Sequence, residues 1–319
     1  MLAEQVNLYS ARKEALIKPL LDKFTQRTGI SVNLVTGKAD NLITRLKNEG
    51  KYSPADLLLT TDVGRLYRAK QQGLTQVVAQ SEAITKLPSN YKDEQGHWFA
   101  LSLRARTLMV SVDNLEAQKI ASLEELINEQ WQGQLCIRSS NNIYNQSMVA
   151  ALVAQKGEDE TQQWLNSVVK NFARPPQGGD RDQIKGVAAG LCDLAIANTY
   201  YLAGMLSSED ETTQQQAKKV KVIWLNQADR GTHINISGVA LAKNAPNKDA
   251  AVKLIDFLLS DESQQWYAKT NHEYPVIADI PWSKLLKSFG SFSTEQVTLG
   301  QLGELNATAV QMMDKAGWK

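Results

Sequence analysis

Strand-like and helix-like segments alternate through the first 60 residues of this 319-residue chain, and this alternation restricts the fold more than any other feature. The strand-like segments are Val6–Tyr9, Ile30–Val35 and Asp56–Thr60. Between them, Lys13–Thr28 carries apolar residues on one helical face, and Asp40 can cap a short second helix. This strand–helix order predicts a parallel sheet that is covered by helices.

The alternation resumes further along the chain, which predicts a second α/β lobe. We expect strands at Leu135–Arg138 and Asp193–Ala197, and helices at Ile143–Ala154, Asp159–Phe172, Gln183–Ala189 and Tyr200–Leu206. The extended segments that could connect the lobes are Trp98–Arg106, Val220–Leu225 and Ile236–Leu241. We therefore predict a first lobe of 1–103 plus about 232–275 and a second lobe of 104–231 plus about 276–319. Open parallel sheets bind ligands beyond the carboxyl ends of their strands, so a ligand cleft is expected between the lobes.

Charge and hydropathy narrow the class of partner. Lys plus Arg is 35 and Asp plus Glu is 34, and no basic stripe is evident, which argues against a nucleic-acid partner. No run of 18 apolar residues occurs, so no membrane span is predicted. The opening residues Met1-Leu-Ala-Glu-Gln5 lack the basic and apolar stretches of a signal peptide, which we expect to be absent from this sequence. Such a start fits a mature exported protein and equally a cytosolic one.

The cysteines and histidines are few. Cys136 and Cys192 each lie in a strand-like run. An even pair in an exported protein favours one disulfide, and two buried free thiols are the alternative. The histidines are far apart in sequence, which makes a zinc site improbable. We expect His97 and His272 at the surface and His233 in a polar loop.

Three of the nine tyrosines follow two strands of the second lobe. Tyr144 comes after the first of these strands, and Tyr200 and Tyr201 come directly after the second. A phenolate is a hard oxygen donor, and three phenolates would neutralise one Fe(III) ion. The alternative is ordinary packing with a hydrogen bond. Neighbouring helical side chains diverge by about 100°, so Tyr200 and Tyr201 could share one ion only at an irregular helix start.

A pattern of short segments extends over essentially the whole chain. Its members are Asn7–Arg12, Pro54–Asp62, Gly96–Phe99, Arg104–Arg106, Cys136–Ser147 and Ala197–Tyr201. The most specific feature is Ile143-Tyr-Asn-Gln-Ser147 followed, at this separation, by Asn198-Thr-Tyr-Tyr201. Together they resemble the periplasmic ferric-ion-binding proteins, which are type II solute-binding proteins of ABC transporters.

The resemblance carries expectations about fold, site and partner. It implies a two-lobed α/β protein, each lobe a mainly parallel sheet flanked by helices, that is located in the periplasm. It implies that Tyr144, Tyr200 and Tyr201 bind Fe(III), which is then delivered to an ABC permease in the inner membrane. We expect a monomer, and we expect no enzymatic activity because no nucleophile–base pair is evident at the strand ends.

The first lobe departs from the family pattern. Many relatives carry a histidine, or His-Tyr, just after the first strand, and this chain has Lys13-Glu14 there. Some relatives carry a glutamate after the third strand, where this chain reads Thr60-Thr-Asp62. The sequence therefore resembles the three-tyrosine branch, in which a bound carbonate completes the coordination of iron.

A dianion at a neutral iron–tyrosinate centre needs hydrogen-bond donors, and arginine suits a planar oxyanion. Arg104 and Arg106 lie two residues apart on an extended segment, so both point to the same face. We favour Arg104 slightly, and a surface salt bridge is the alternative for each. The remaining candidates are Ser10 and Arg12 for the anion, from the opposite lobe, and Arg138 and Asn142 as supports of the Tyr144 loop.

Other functions remain open on the sequence alone. A protein of the same fold could bind a phosphonate, a polyamine or thiamine, because fold does not determine function. A polyamine site would need several carboxylates and stacking aromatic residues, whereas these strand ends carry tyrosines and arginines. A cytosolic enzyme, a free-standing sensor domain, and Fe(II) or Mn(II) as the cargo are further alternatives.

Overall fold

A computed structural model describes residues 4–79 and 81–319 and divides into two compact units. Unit 1 comprises Met1–Leu103 and Ile236–Ser283, and unit 2 comprises Arg104–Asn235 and Lys284–Lys319. The chain thus changes unit at 104, 236 and 284, where the sequence suggested 104, about 232 and about 276. The signal-peptide expectation rests partly on residues 1–3, which lie outside the described residues.

The described residues form nine strands and thirteen α-helices. The strands are β1 (Gln5–Ser10), β2 (Ser31–Thr36), β3 (Leu57–Thr61), β4 (Phe99–Ser111), β5 (Leu135–Cys136), β6 (Leu194–Asn198), β7 (Val220–Ile223), β8 (Ile234–Leu241) and β9 (Tyr274–Pro275). The α-helices are α1 (Glu14–Thr28), α2 (Ala39–Glu49), α3 (Val63–Gln71), α4 (Glu82–Lys86), α5 (Ile143–Val168), α6 (Asp180–Ala188), α7 (Thr199–Leu206), α8 (Glu211–Lys218), α9 (Lys248–Leu258), α10 (Asp261–Trp266), α11 (Lys284–Ser288), α12 (Leu299–Glu304) and α13 (Asn306–Lys315). Short 3₁₀ segments lie at Gly50–Tyr52, Ser89–Tyr91, Ala117–Lys119, Glu124–Ile127, Glu129–Trp131 and Val169–Asn171, and a π-helical turn lies at Tyr267–Asn271.

The sheet of unit 1 has the parallel arrangement that the sequence predicts. Strand β1 is central and pairs in parallel with β2 and β3, and β8 adds an antiparallel strand beside β3. Helix α1 buries the apolar face that was predicted for it and ends at Gly29, whose φ of 73° is left-handed. The prediction that Asp40 caps the second helix is wrong, because α2 begins at Ala39. Asp40 instead forms ion pairs with Arg65 and Arg68.

The sheet of unit 2 is mixed rather than mainly parallel. Strand β6 pairs in parallel with β5, whereas β4 lies antiparallel to both β6 and β7. The parallel part is small because β5 ends after two residues, whereas the sequence predicted a strand through Arg138. None of the helices in residues 4–79 and 81–319 is long and apolar enough to cross a membrane.

The two helices predicted at Ile143–Ala154 and Asp159–Phe172 form the long element α5, which is broken at Gly157. Helices α12 and α13, which the sequence analysis did not predict, pack against α5. Trp164 and Leu165 of α5 share a core with Met313 and Trp318 from the end of the chain. The C-terminal residues therefore complete the core of unit 2.

We expect Gly157→Ala to destabilise the protein by about 1–3 kcal/mol, because φ 80° with ψ 170° lies in a region that only glycine adopts freely. An added Cβ at Gly157 would have no heavy atom within 4 Å, so backbone strain is the sole expected cause. The measurement is chemical denaturation beside Gly300→Ala, a position in α12 that also has no heavy atom within 4 Å of the added Cβ. Equal effects of the two substitutions would contradict the strain explanation.

Candidate metal centre

The three tyrosines lie in unit 2, at the first turns of two helices. Tyr144 is the second residue of α5, whose amino end is capped by Asn142; the Asn142 side chain accepts a hydrogen bond of 3.2 Å from the Tyr144 backbone N–H. Tyr200 and Tyr201 are the second and third residues of α7, which begins directly after β6. All three side chains are half-buried. The strand-to-helix turns thus place the phenols at the end of the sheet where ligands are expected.

Arg104 brings the phenol groups together. Its Nη2 donates to the Tyr144 hydroxyl at 3.0 Å and also to the Tyr200 hydroxyl. The guanidinium carbon lies 4.5 Å from the Tyr144 ring centroid and 4.7 Å from that of Tyr200. The Tyr200 and Tyr201 rings pack with centroids 4.2 Å apart and planes inclined by 33°. The three tyrosines and Arg104 therefore form a single cluster.

Burial makes these phenols hard to ionise without a bound cation. It raises the pKa of Tyr200 well above 10 and that of Tyr201 to about 12, and the neighbouring Tyr144 and Asp180 add to both shifts. The Arg104 guanidinium acts in the opposite direction and lowers the pKa of both groups. Near neutral pH Tyr200 and Tyr201 therefore retain their protons until a strong Lewis acid displaces them.

Of the two candidate anion-binding residues in unit 2, Arg104 donates directly to the tyrosines. Arg106, with 3% exposure, donates through its terminal nitrogens to Asp180, Asn145 and Asn198. These groups occupy the terminal nitrogens of Arg106, and its assignment to an anion stays a prediction.

The two candidates in unit 1 are also engaged with protein groups. Arg12 forms a buried, two-bonded ion pair with Glu273, and the shorter bond measures 2.9 Å. The Ser10 hydroxyl accepts a hydrogen bond from the Arg12 backbone N–H at 3.1 Å. Their assignment to an anion therefore stays a prediction.

Arg138 and Asn142 lie where they can support the Tyr144 turn. Beyond the cap from Asn142, the Arg138 carbonyl accepts a bond of 2.9 Å from the Asn145 side chain. The Arg138 guanidinium lies 5.6 Å from the Tyr144 ring centroid and 3.4 Å from Asp180 Oδ1. Sequence reasoning missed Asn145, Asn198 and Asp180, although the two asparagines stand inside the motifs that carry the family resemblance.

A disulfide joins Cys136 at the end of β5 to Cys192, which lies two residues before β6. The Cα atoms are 5.9 Å apart, and both residues are buried. A Cβ on Gly186 of α6 would lie 3.1 and 3.2 Å from the two sulfur atoms, so this helix packs directly on the disulfide. Each cysteine precedes a tyrosine of the cluster by eight residues, Cys136 before Tyr144 and Cys192 before Tyr200.

The first unit offers no histidine or glutamate at the positions where relatives carry them. Lys13 and Glu14 are exposed at the start of α1, and Asp62 caps α3 by accepting a bond from the Gly64 N–H. In residues 4–79 and 81–319, no three His, Cys, Asp or Glu side chains are grouped so as to hold a metal ion. An oxygen site of tyrosines is thus the candidate that the described chain presents.

The histidines are more buried than the sequence suggested. His233 lies outside the strands, one residue before β8, as a loop residue should, but it is only 7% exposed and its Nδ1 lies 2.5 Å from Glu295 Oε1. His97 and His272 are half-buried, and burial is the main cause that lowers the pKa of each. His97 Nδ1 is 2.8 Å from the Thr75 hydroxyl, a contact between distant loops that sequence patterns do not reveal.

The fold and the tyrosine site define a solute-binding protein, and the chain belongs to the bacterial extracellular solute-binding proteins, whose family model matches residues 53–287. Among individual proteins, it is similar to Iron uptake protein A1 of Synechocystis sp., with 45% identity over 316 residues, 99% of this chain and 88% of that protein. The predicted relationship to ferric-ion-binding proteins is confirmed.

Solved structures extend the likeness to three dimensions. A structure of Trichodesmium IdiA (FutA) in complex with iron and citrate has a TM-score of 0.95 and 44% identity, and the match covers 99% of this chain and 100% of that one. The ferric binding protein from Campylobacter jejuni has a TM-score of 0.94 and 35% identity, over 98% of this chain and 100% of that one. The predicted α/β fold class of the two-lobed type II binding proteins is confirmed.

Proposed function

We propose that this protein is a periplasmic Fe(III)-binding protein that holds the ion through Tyr144, Tyr200 and Tyr201 and delivers it to an ABC permease in the inner membrane. The observation that carries the proposal is the convergence of the three tyrosines on Arg104 at the first turns of two helices. The similarity to proteins that are themselves named for iron uptake and ferric-iron binding supports the choice of cargo.

The donor set favours a trivalent cation. Phenol ordinarily titrates near pH 10, and burial raises the pKa of Tyr200 and Tyr201 further. A cation must therefore displace the protons, and Fe(III) does this far better than a divalent ion of similar size. Three phenolates then balance the charge of one Fe(III), whereas Fe(II) or Mn(II) would leave a net negative charge in a half-buried site.

An anion completes the coordination, and Arg104 is its donor within unit 2. Carbonate fits the planar fork of a guanidinium and would compete with the phenol oxygens for Arg104 Nη2. Because the structure of a similar protein is in complex with iron and citrate, citrate is the second anion to test. Protonation of the anion and of the tyrosinates provides a route for release.

The proposal is tested by adding Fe(III) to the purified protein and recording its visible spectrum. We expect an intense tyrosinate-to-iron charge-transfer band that is lost or strongly weakened in Tyr144→Phe and Tyr200→Phe. Tyr9→Phe is the matched control, since it removes a buried phenol oxygen of unit 1 that bonds to Glu49. A wild-type protein that stays colourless and takes up no iron would contradict the proposal and favour an organic solute.

The same assay identifies the anion. Iron is offered in buffer free of carbon dioxide, then with bicarbonate, then with citrate. We expect bicarbonate to restore the band, and we expect Arg104→Gln to reduce this dependence on the anion. A band that forms equally well without any added anion would contradict a coordinated carbonate.

A further inference from the structure

A buried polar network lies directly behind the tyrosine cluster of unit 2. Its members, here called the Asp180 network, are Arg106, Asn145, Asp180 and Asn198, and none of them is more than 3% exposed. They come from four different elements: β4, the first turn of α5, the first residue of α6 and the last residue of β6. The network therefore joins four separate segments of the chain through side-chain hydrogen bonds.

Arg106 and Asp180 form the centre of the network. Arg106 Nη1 donates to Asp180 Oδ2 at 3.1 Å and to Asn198 Oδ1 at 3.2 Å, and Nη2 donates to Asn145 Oδ1. Asp180 Oδ2 also accepts the backbone N–H of Asn198 at 2.9 Å. Asp180 thus fixes the backbone at the start of α7 as well as the arginine.

The remaining bonds of the network reach the other ligand-bearing turn. The Asn145 side chain donates to the carbonyls of Arg138 at 2.9 Å and Ser139 at 3.2 Å. Asn145 follows Tyr144 in the chain, and Asn198 precedes Tyr200 by two residues. Arg106 therefore connects Asn145, which is next to Tyr144, to Asn198, which precedes the turn that carries Tyr200 and Tyr201.

A buried ion pair is a poor source of net stability, because the desolvation of two charges offsets most of their attraction. We therefore expect the ion pair between Arg106 and Asp180 to contribute by fixing the geometry of the groups around it. Groups behind a metal centre orient its ligands, and their removal typically weakens metal binding by about 10- to 100-fold. A network that spans both tyrosine-bearing turns is placed to fix the separation of the phenol oxygens.

On the basis of the function proposed above, we propose that Arg106, Asp180, Asn145 and Asn198 are positioning residues that set the distance between the Tyr144 turn and the Tyr200–Tyr201 turn. They do not touch the cargo, and they hold the phenols at the spacing that a small trivalent ion requires. Arg104 and Arg106 therefore have different roles, although they lie two residues apart on β4: the first contacts the phenols and the second fixes the turns that carry them.

The decisive variant is Asp180→Asn. It keeps an oxygen that can accept the Asn198 N–H, and it removes the charge that holds Arg106. We expect the Fe(III) dissociation constant to rise by about 10- to 100-fold and the charge-transfer band to shift in wavelength. In the iron-free protein we expect faster hydrogen exchange at the amides of Tyr144 and Asn198.

Asp93→Asn is the matched control. Asp93 belongs to unit 1 and likewise accepts from a cation, Lys70 at 2.7 Å, and from backbone N–H groups, those of Gln95 and His97 at 3.1 Å. Its loss should lower the stability of unit 1 and leave the position of the band unchanged. A band and a dissociation constant that are the same in Asp180→Asn as in wild type would overturn the inference.

A milder variant covers the case in which Asp180→Asn does not fold. Asn198→Ala removes only the Oδ1 acceptor of Arg106 and keeps the backbone bond to Asp180. We expect the same shifts at smaller amplitude, and their absence in a folded Asn198→Ala protein would again count against the network. Failure of the proposed function looks different, because the wild-type protein would then show no charge-transfer band at all.

Discussion

The three phenolic protons that leave as Fe(III) enters the proposed site are expected to strengthen iron binding by about a thousandfold for each unit of pH gained near neutrality, when expressed as the binding constant for free Fe(III). Burial raises the pKa of Tyr201 to about 12 and that of Tyr200 further, so both groups hold their protons in the iron-free protein. In the proposed iron-bound form both phenols have lost these protons. A rise in pH therefore favours the bound form, and a fall in pH releases iron.

The raised pKa values also determine the pH range over which iron affinity rises with pH. Tyr201 contributes its proton to this dependence until the pH approaches about 12, which is far above physiological pH. Tyr200, whose pKa is also raised, contributes in the same way. Neither of these two groups therefore causes a decrease in slope near pH 7.

The measurement is the pH dependence of iron affinity in competition with a chelator whose own proton equilibria are known. Tyr201→Phe provides the control, because it removes one titrating phenol while the chelator and the anion stay the same. The slope of log affinity against pH should fall by about one unit in this variant. An unchanged slope would show that Tyr201 is not bound as a phenolate.

The fold of unit 1 could be predicted because its signals are local. Helix α1 has its apolar face and its terminal glycine within 16 residues of sequence, β1 and β2 carry Val and Leu at alternating positions, and β3 begins with three leucines. Asp40 shows the limit of such reasoning. Its side chain suits a helix cap, but Arg65 and Arg68 of α3 provide a stronger partner that only the folded chain brings near.

The positions of the three tyrosines could be predicted, whereas the network behind them could not. A strand followed by a tyrosine is visible in the sequence, and the position of the phenol at the end of the sheet follows from the fold. Asp180 instead stands in the polar run Gly178-Gly-Asp-Arg-Asp182, which is typical of an exposed turn. It is fully buried because α6 packs against β6 and directs its first residue towards Arg106.

The different roles proposed for Arg104 and Arg106 could not be predicted, for the same reason. Residues two apart on an extended strand share a face, so periodicity assigns both the same environment. Their difference arises from partners more than 35 positions away in sequence, Tyr144 and Tyr200 for Arg104 and Asp180 for Arg106. Pairing at that distance depends on the register of β4 against β6, in which Arg106 is opposite Asn198.

Reduction of the disulfide is expected to lower the free energy of unfolding by about 4 kcal/mol, because the bond closes a long loop in the unfolded chain. Cys136 and Cys192 are separated by 56 positions, which gives a larger loop-closure entropy than a short loop would. The measurement is denaturant unfolding of the wild-type protein with and without a phosphine reductant. The Cys136→Ala/Cys192→Ala double variant is the control, since the reductant should not change its midpoint.

The charge-transfer band distinguishes the loss of stability on reduction of the disulfide from a direct effect of reduction on the iron site. The cross-link acts mainly on the unfolded chain, and in the folded protein β5 remains paired with β6 through Leu135 and Cys136. The reduced but folded protein should therefore bind iron with an unchanged band, in contrast to Asp180→Asn. A band that moves on reduction would show that the disulfide, eight residues before Tyr144 and before Tyr200, also holds the phenols in place. The positioning role would then be shared between a covalent and a hydrogen-bonded connection of the same two turns.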